Sequence, residues 1–114
     1  MKKELVFYTN RNGKSPFLQW QAKLKNPVTQ ARIDKRLREL SAGYYGDYKA
    51  LGEELLELRL NFGKGYRIYF AECADCIVVI LHGGTKNTAG GQSRDIAKAR
   101  MYLQDFLERE AEDD

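Results

Sequence analysis

From Leu56 to Phe70 the chain alternates apolar and polar residues at the two-residue period of a β-strand, interrupted only by Gly63-Lys64-Gly65. Leu56, Leu58, Leu60 and Phe62 alternate with Glu57, Arg59 and Asn61; Tyr66, Ile68 and Phe70 alternate with Arg67 and Tyr69. Two such runs around a glycine-rich break predict a β-hairpin, and its register decides which side chains meet. A three-residue turn pairs Phe62 with Tyr66, Asn61 with Arg67, Leu60 with Ile68 and Arg59 with Tyr69, so the apolar residues of both strands share one face. A two-residue turn would set Phe62 against Arg67 and mix the faces. The opposite side, carrying Glu57, Arg59, Asn61, Arg67 and Tyr69, is then expected to be an exposed polar face.

The remaining elements follow from local signals. Leu5 to Thr9 is a short β-prone run ahead of the turn-forming Asn10-Arg11-Asn12-Gly13. Ser15 caps a helix that has Pro16 at its first position and Phe17, Trp20 and Leu24 at helical spacing, until Asn26-Pro27 interrupts it. A second helix is predicted from about Val28 to Ala42, with Ile33, Leu37 and Leu40 on one side and Arg32, Lys35, Arg36 and Arg38 mostly on the other. Gly43 ends it. The tyrosine-rich stretch from Tyr44 to Gly52 reads as a loop. Cys76 to Leu81 reads as a central strand buried on both sides, which His82-Gly83-Gly84-Thr85-Lys86 leaves; a polar loop over 87–93 follows. Ile96, Ala99, Leu103 and Phe106 set the core face of a last helix. The expectation is one α+β domain over 1–107, a small antiparallel sheet in the order β-α-α-β-β-β-α. The acidic residues 108–114 lack apolar anchors after Leu107 and are expected to fray.

A chain of 114 residues, 43% of them apolar, can bury one modest core. It contains no run approaching the about 18 apolar residues of a membrane span, so a cytoplasmic protein with no membrane partner is expected. The net charge of +3 conceals a strong asymmetry. Residues 1–38 hold ten Lys or Arg against Glu4 and Asp34, whereas the last ten hold six acids against Arg109. A basic first third is the footprint of a polyanion binder, although solvated helix faces give the same count. Cys73 and Cys76 read as two thiols at a hairpin turn; with His82 the only histidine they cannot complete a structural zinc site, and neither metal nor cofactor is expected.

Chemistry is carried by Arg59 and Arg67 on the hairpin and Lys86 just past the neighbouring strand. Guanidinium forks match phosphate oxygens and stabilise the added charge of a pentacoordinate transition state. RNA supplies its own nucleophile, the 2′-hydroxyl, so the protein need only hold geometry, neutralise charge and move protons. Glu57 and Tyr69 are the candidates for the proton, while Asn61, Lys64, His82 and Arg94 are candidates for holding RNA. Arg59 is equally placed to pair with Glu57 as ordinary surface.

The order Glu57-Leu58-Arg59, a glycine turn, Gly65-Tyr66-Arg67-Ile68-Tyr69-Phe70, a strand ending Leu81-His82-Gly83-Gly84-Thr85-Lys86, then Ser93-Arg94-Asp95-Ile96 resembles the RelE/ParE toxin superfamily, and within it the HigB-like, phage-derived addiction-module killer branch. The resemblance runs from Leu5 to Leu107. It implies a RelE-like fold and the toxin of a type II toxin-antitoxin system: an endoribonuclease that cuts mRNA on the ribosome without metal and is neutralised by a cognate antitoxin, commonly a small helix-turn-helix protein. It also implies catalytic roles for Arg67, Arg59 and Lys86. Lysines that RelE carries before the hairpin are replaced here by Leu55 and Glu57, and its C-terminal tyrosine has no match. A ParE-like gyrase poison and a non-enzymatic nucleic-acid adaptor or co-repressor are the alternatives.

Overall fold

The computed structural model describes residues 2–74, 76–86 and 90–112. In chain order the elements are β1 (Glu4–Phe7), α1 (Pro16–Ala22), α2 (Pro27–Ser41), β2 (Tyr48–Gly52), β3 (Leu55–Leu60), β4 (Tyr66–Ala74), β5 (Ile77–Thr85) and α3 (Gly91–Glu112). The helix starts arise where the sequence signals place them. The Ser15 hydroxyl accepts from the Leu18 amide at 3.2 Å, and the Asn26 carboxamide accepts from Val28 at 2.9 Å, each with proline next in the chain. Gly43, at φ +91°, lets the chain leave α2.

The strands form one sheet in the order β1-β5-β4-β3-β2. The class is α+β, as expected, but the sheet is mixed and has four strands after the helices. β1 lies parallel to β5, pairing Glu4 with Ile77 through Phe7 with Ile80. The two intervening helices supply the long crossover that a parallel pair requires. Tyr48–Gly52, expected as loop, is an edge strand antiparallel to β3. β5 also runs on through His82, Gly83 and Gly84 to Thr85 rather than ending at Leu81. The paired glycines permit this because a Cβ at Gly83 would lie 2.2 Å from the Trp20 indole, and one at Gly84 2.1 Å from the Asp95 carboxylate.

The hairpin register differs from the expected one by two residues. Leu60 faces Tyr66, Arg59 faces Arg67, Leu58 faces Ile68 and Glu57 faces Tyr69, so residues 61–65 make the connection. Phe62 does not pair; it packs tilted on Tyr66 at 5.3 Å. A slip of two preserves which side chains share a face, and the apolar face indeed meets α1 and α2, burying Phe17, Ile33, Leu37, Leu40, Leu58, Ile68, Phe70 and Ile80.

The other face, which the alternation predicts to be exposed, is covered. α3 covers it, with Ala99 and Leu103 packed on Tyr8, Leu55, Tyr69, Val79 and Leu81. An amphipathic helix must bury its apolar stripe somewhere, and the second sheet face is what remains. The acidic residues up to Glu112 continue α3 rather than fraying, held where Arg109 bonds Asp105 at 2.9 Å and the Thr9 carbonyl, and where Arg11 reaches Asp105 at 3.5 Å and Glu112 at 3.7 Å. Residues 113–114 and 87–89 of the sequence reading lie outside the described residues.

Candidate functional site

Glu57 lies at the centre of the covered face. Its carboxylate is fully buried, receives Arg59 Nε at 3.1 Å and Gln92 Nε2 at 2.7 Å, and has Arg67 Nε at 3.8 Å. Gln92 comes from the first turn of α3, so the helix that covers the face also completes the cluster. Arg67 is buried as well, with Nη1 donating to the Tyr66 carbonyl at 2.9 Å and Nε making no hydrogen bond among the described residues. Two guanidinium groups thus share one carboxylate, an arrangement that holds them in register while leaving a net positive charge. Of the two arginines Arg59 reaches solvent, its side chain 34% exposed and bonded to Glu57 through Nε.

Tyr69, opposite Glu57 across the strands, is completely buried and its hydroxyl makes no hydrogen bond of regular geometry among the described residues. Burial first, and the nearby Glu57 and Asp95 charges next, push its ionisation far above the ordinary tyrosine range. Glu57 and Tyr69, which the strand alternation predicts on an open polar surface, are therefore sealed from a solvent-borne substrate by α3.

The remaining cationic candidates gather at the same end of the sheet. Lys86 is exposed at the end of β5, its amide bonded to the Gly65 carbonyl at 2.9 Å, so it stands beside the hairpin turn that carries exposed Lys64. Asn61 is exposed but ties to Asp47 at 2.8 Å. Along the other side of β3 runs a groove of about 420 Å³ with Arg32, Lys35, Arg36 and Glu39 of α2 on its wall and Asn61, Phe62 and Arg59, whose carbonyl accepts from Arg36 at 3.5 Å, across from them. Arg32 lies over the Phe62 ring at 4.9 Å, and Arg36 donates to the Tyr45 carbonyl at 3.1 Å.

His82 and Arg94 sit apart from Glu57, in a cleft of about 460 Å³ between α1 and α3 that also holds Trp20, Lys23, Asp95 and Lys98. His82 Nε2 lies 3.3 Å from Asp95 Oδ1, and its buried Nδ1 has no partner among the described residues. Desolvation lowers the His82 pKa, against the opposing pull of Asp95. Sequence reasoning missed Gln92, Asp95 and Trp20 as parts of these sites; the adjacent Gly83-Gly84 in a strand was the available signal, since such glycines mark close approach by neighbouring groups. Among the described residues no three His, Cys, Asp or Glu side chains gather as metal ligands, and no helix is long and apolar enough to cross a membrane.

Fold and site define a small α+β protein with a buried carboxylate-arginine cluster opening onto a cationic sheet end. No protein-family model matches the chain. It is 37% identical over 90 residues to an uncharacterized protein of Haemophilus influenzae, a match that covers 79% of this chain and 88% of that one. The chain belongs to the same family as that protein.

Proposed function

We propose that the protein is an endoribonuclease toxin of a type II toxin-antitoxin system, acting in the cytoplasm on mRNA held by the ribosome. The observation that carries this reading is that Arg59 and Arg67 stand directly opposed on β3 and β4, with Lys86 just past the end of β5 and bonded to the β3–β4 turn at the same end of the sheet. Arg59 and Lys86 are the groups that a phosphate meets first. Arg67, Glu57 and Gln92 hold the Arg59 guanidinium in place, which keeps it from collapsing onto other acids and spares the entropy of fixing it on binding.

In the step proposed, the RNA 2′-oxygen attacks the adjacent phosphorus as its proton leaves, and the bond from phosphorus to the 5′-oxygen breaks as that oxygen takes up a proton. The products are a 2′,3′-cyclic phosphate and a 5′-hydroxyl. The charge that accumulates on the non-bridging oxygens is met by Arg59 and Lys86. Near-complete burial of Glu57 and Tyr69 leaves the part-exposed His82–Asp95 pair on β5 and α3 as the imidazole and carboxylate offered for the proton. The resemblance to the RelE/ParE superfamily supports the same reading, and with it a small helix-turn-helix antitoxin as partner.

Expression of the parent and of Arg59→Ala, followed by mapping of transcript ends, tests it. Cleavage within codons and growth arrest with the parent, both lost in Arg59→Ala, are expected. Arrest with intact transcripts and a DNA-damage response would instead mark a gyrase poison.

A further inference from the structure

β1 accompanies β5 only as far as Phe7 opposite Ile80, with one further bond from the Tyr8 amide to the Ile80 carbonyl at 2.9 Å. The chain then turns away through Asn10–Gly13 into α1. Among the described residues, the outer edge of β5 from His82 to Thr85 is therefore left without a strand partner, and α1 and α3 stand on either side of it. This is the origin of the cleft of about 460 Å³. Its floor is the backbone of Gly83 and Gly84, one wall is the half-buried Trp20 indole, and the other is the first two turns of α3.

Three features of this cleft go together. The Trp20 indole packs so closely on the strand at Gly83 that only glycine fits there, which fixes the position of the ring at the cleft wall. Lys23, Arg94 and Lys98 stand at the rim against one acid, Asp95, whose carboxylate is already engaged with His82. And, among the described residues, the floor offers strand backbone groups that no other strand uses. A fixed aromatic plane, a cationic rim and free polar groups between them are the components with which proteins hold single-stranded nucleic acid: a base stacks while its phosphate is neutralised. Gly84 pairs with Arg67 and Arg67 with Arg59, so the cleft floor lies two strand spacings, about 10 Å, from the Arg59 strand.

We infer that this cleft is a nucleotide subsite for single-stranded RNA, in which a base next to the bound phosphate stacks on Trp20 while Lys98 and Arg94 take its backbone charge. The inference rests on the proposed RNA substrate and extends it to a second place on the molecule. A peptide strand added to the β5 edge would use the same backbone groups, but the cationic rim favours the polyanion.

Trp20 is the only tryptophan, so its fluorescence reports this cleft alone. The full chain would be titrated with a short 2′-O-methyl oligoribonucleotide, which cannot cleave itself, following tryptophan emission and, separately, anisotropy of a label on the RNA. Saturable quenching is expected, with a midpoint that matches the anisotropy and moves about tenfold weaker in Arg94→Ala/Lys98→Ala, both exposed positions. Binding seen by anisotropy with tryptophan emission unchanged, affinity untouched in the double variant, or no binding at all overturns it. So does quenching by an uncharged strand-forming peptide but not by RNA. Transcript mapping separates the two claims: cleavage with a silent tryptophan sinks the subsite alone, whereas quenching without cleavage sinks the nuclease reading and leaves the subsite standing.

Discussion

Glu57 and Arg59 are two residues apart on one strand, yet their substitution should separate folding from function. Glu57 is the counter-charge of a buried guanidinium, so Glu57→Gln leaves Arg67 desolvated and uncompensated. Breaking such a pair on one side costs about 3–5 kcal/mol, and urea denaturation should show that loss. Arg59→Ala removes a partly solvated partner and should cost no more than about 1 kcal/mol, while abolishing growth arrest. Equal destabilisation by the two would show that Arg59 is as structural as Glu57. His82 gives the pH dependence. Its folded pKa is depressed by burial, so below about 6.5 the unfolded chain takes up a proton that the folded one resists. That contribution is present above the unfolded pKa and is lost as pH falls. The urea midpoint should therefore drop between pH 7 and pH 5, and less in His82→Gln; parallel pH profiles for parent and variant would contradict the assignment.

At the scale of elements, what the sequence made legible was parity, and what it hid was set by backbone conformation. The alternation correctly assigned the side chains of Leu56–Leu60 and Tyr66–Phe70 to their faces, because a two-residue slip leaves faces unchanged, whereas Asn61 and Phe62 fall in the connection and not on a strand face. It could not fix the register, since the choice lay in whether Phe62 paired or folded onto Tyr66 and under Arg32. β2 was invisible for a related reason. Gly52 pairs with Leu55, so the β2–β3 hairpin turns on Glu53 and Glu54, at φ +53° and +71°. Two-residue turns of this kind are ordinarily announced by Asn-Gly, and two glutamates at positive φ announce nothing. They are also strained, since a side chain crowds that conformation. Glu53→Asn/Glu54→Gly should raise stability by about 1–2 kcal/mol with no change in growth arrest. A lower denaturation midpoint in that variant would mean that the glutamates make contacts that outweigh their strain.

For the whole molecule, the arginines were legible as a set but their exposure was not, because the amphipathic pattern of α3 says that it must cover something without saying what. Covering the polar face withdrew Arg67 and Glu57 and left the cationic residues as a rim: α2 on one side of β3, Lys64 and Lys86 at the sheet end, and Lys23, Arg94 and Lys98 around the cleft. The basic first third of the sequence enters that rim through α2 and Lys23. If RNA is held along it, affinity is dominated by counterions released from phosphates, and log K should fall linearly with log salt at about 0.7 per phosphate engaged on a single strand. Lys35, exposed on the α2 wall of the Arg59 groove, has no ion-pair partner among the described residues and is the cleanest probe. Lys35→Ala should flatten that slope by about one phosphate's worth and weaken binding to every sequence alike, because a point charge on the backbone reads no base. Lys49, exposed on the β2 edge away from both grooves, should leave slope and affinity unchanged when replaced in the same way. Equal effects at the two lysines would mean that net charge, and not this rim, attracts the RNA.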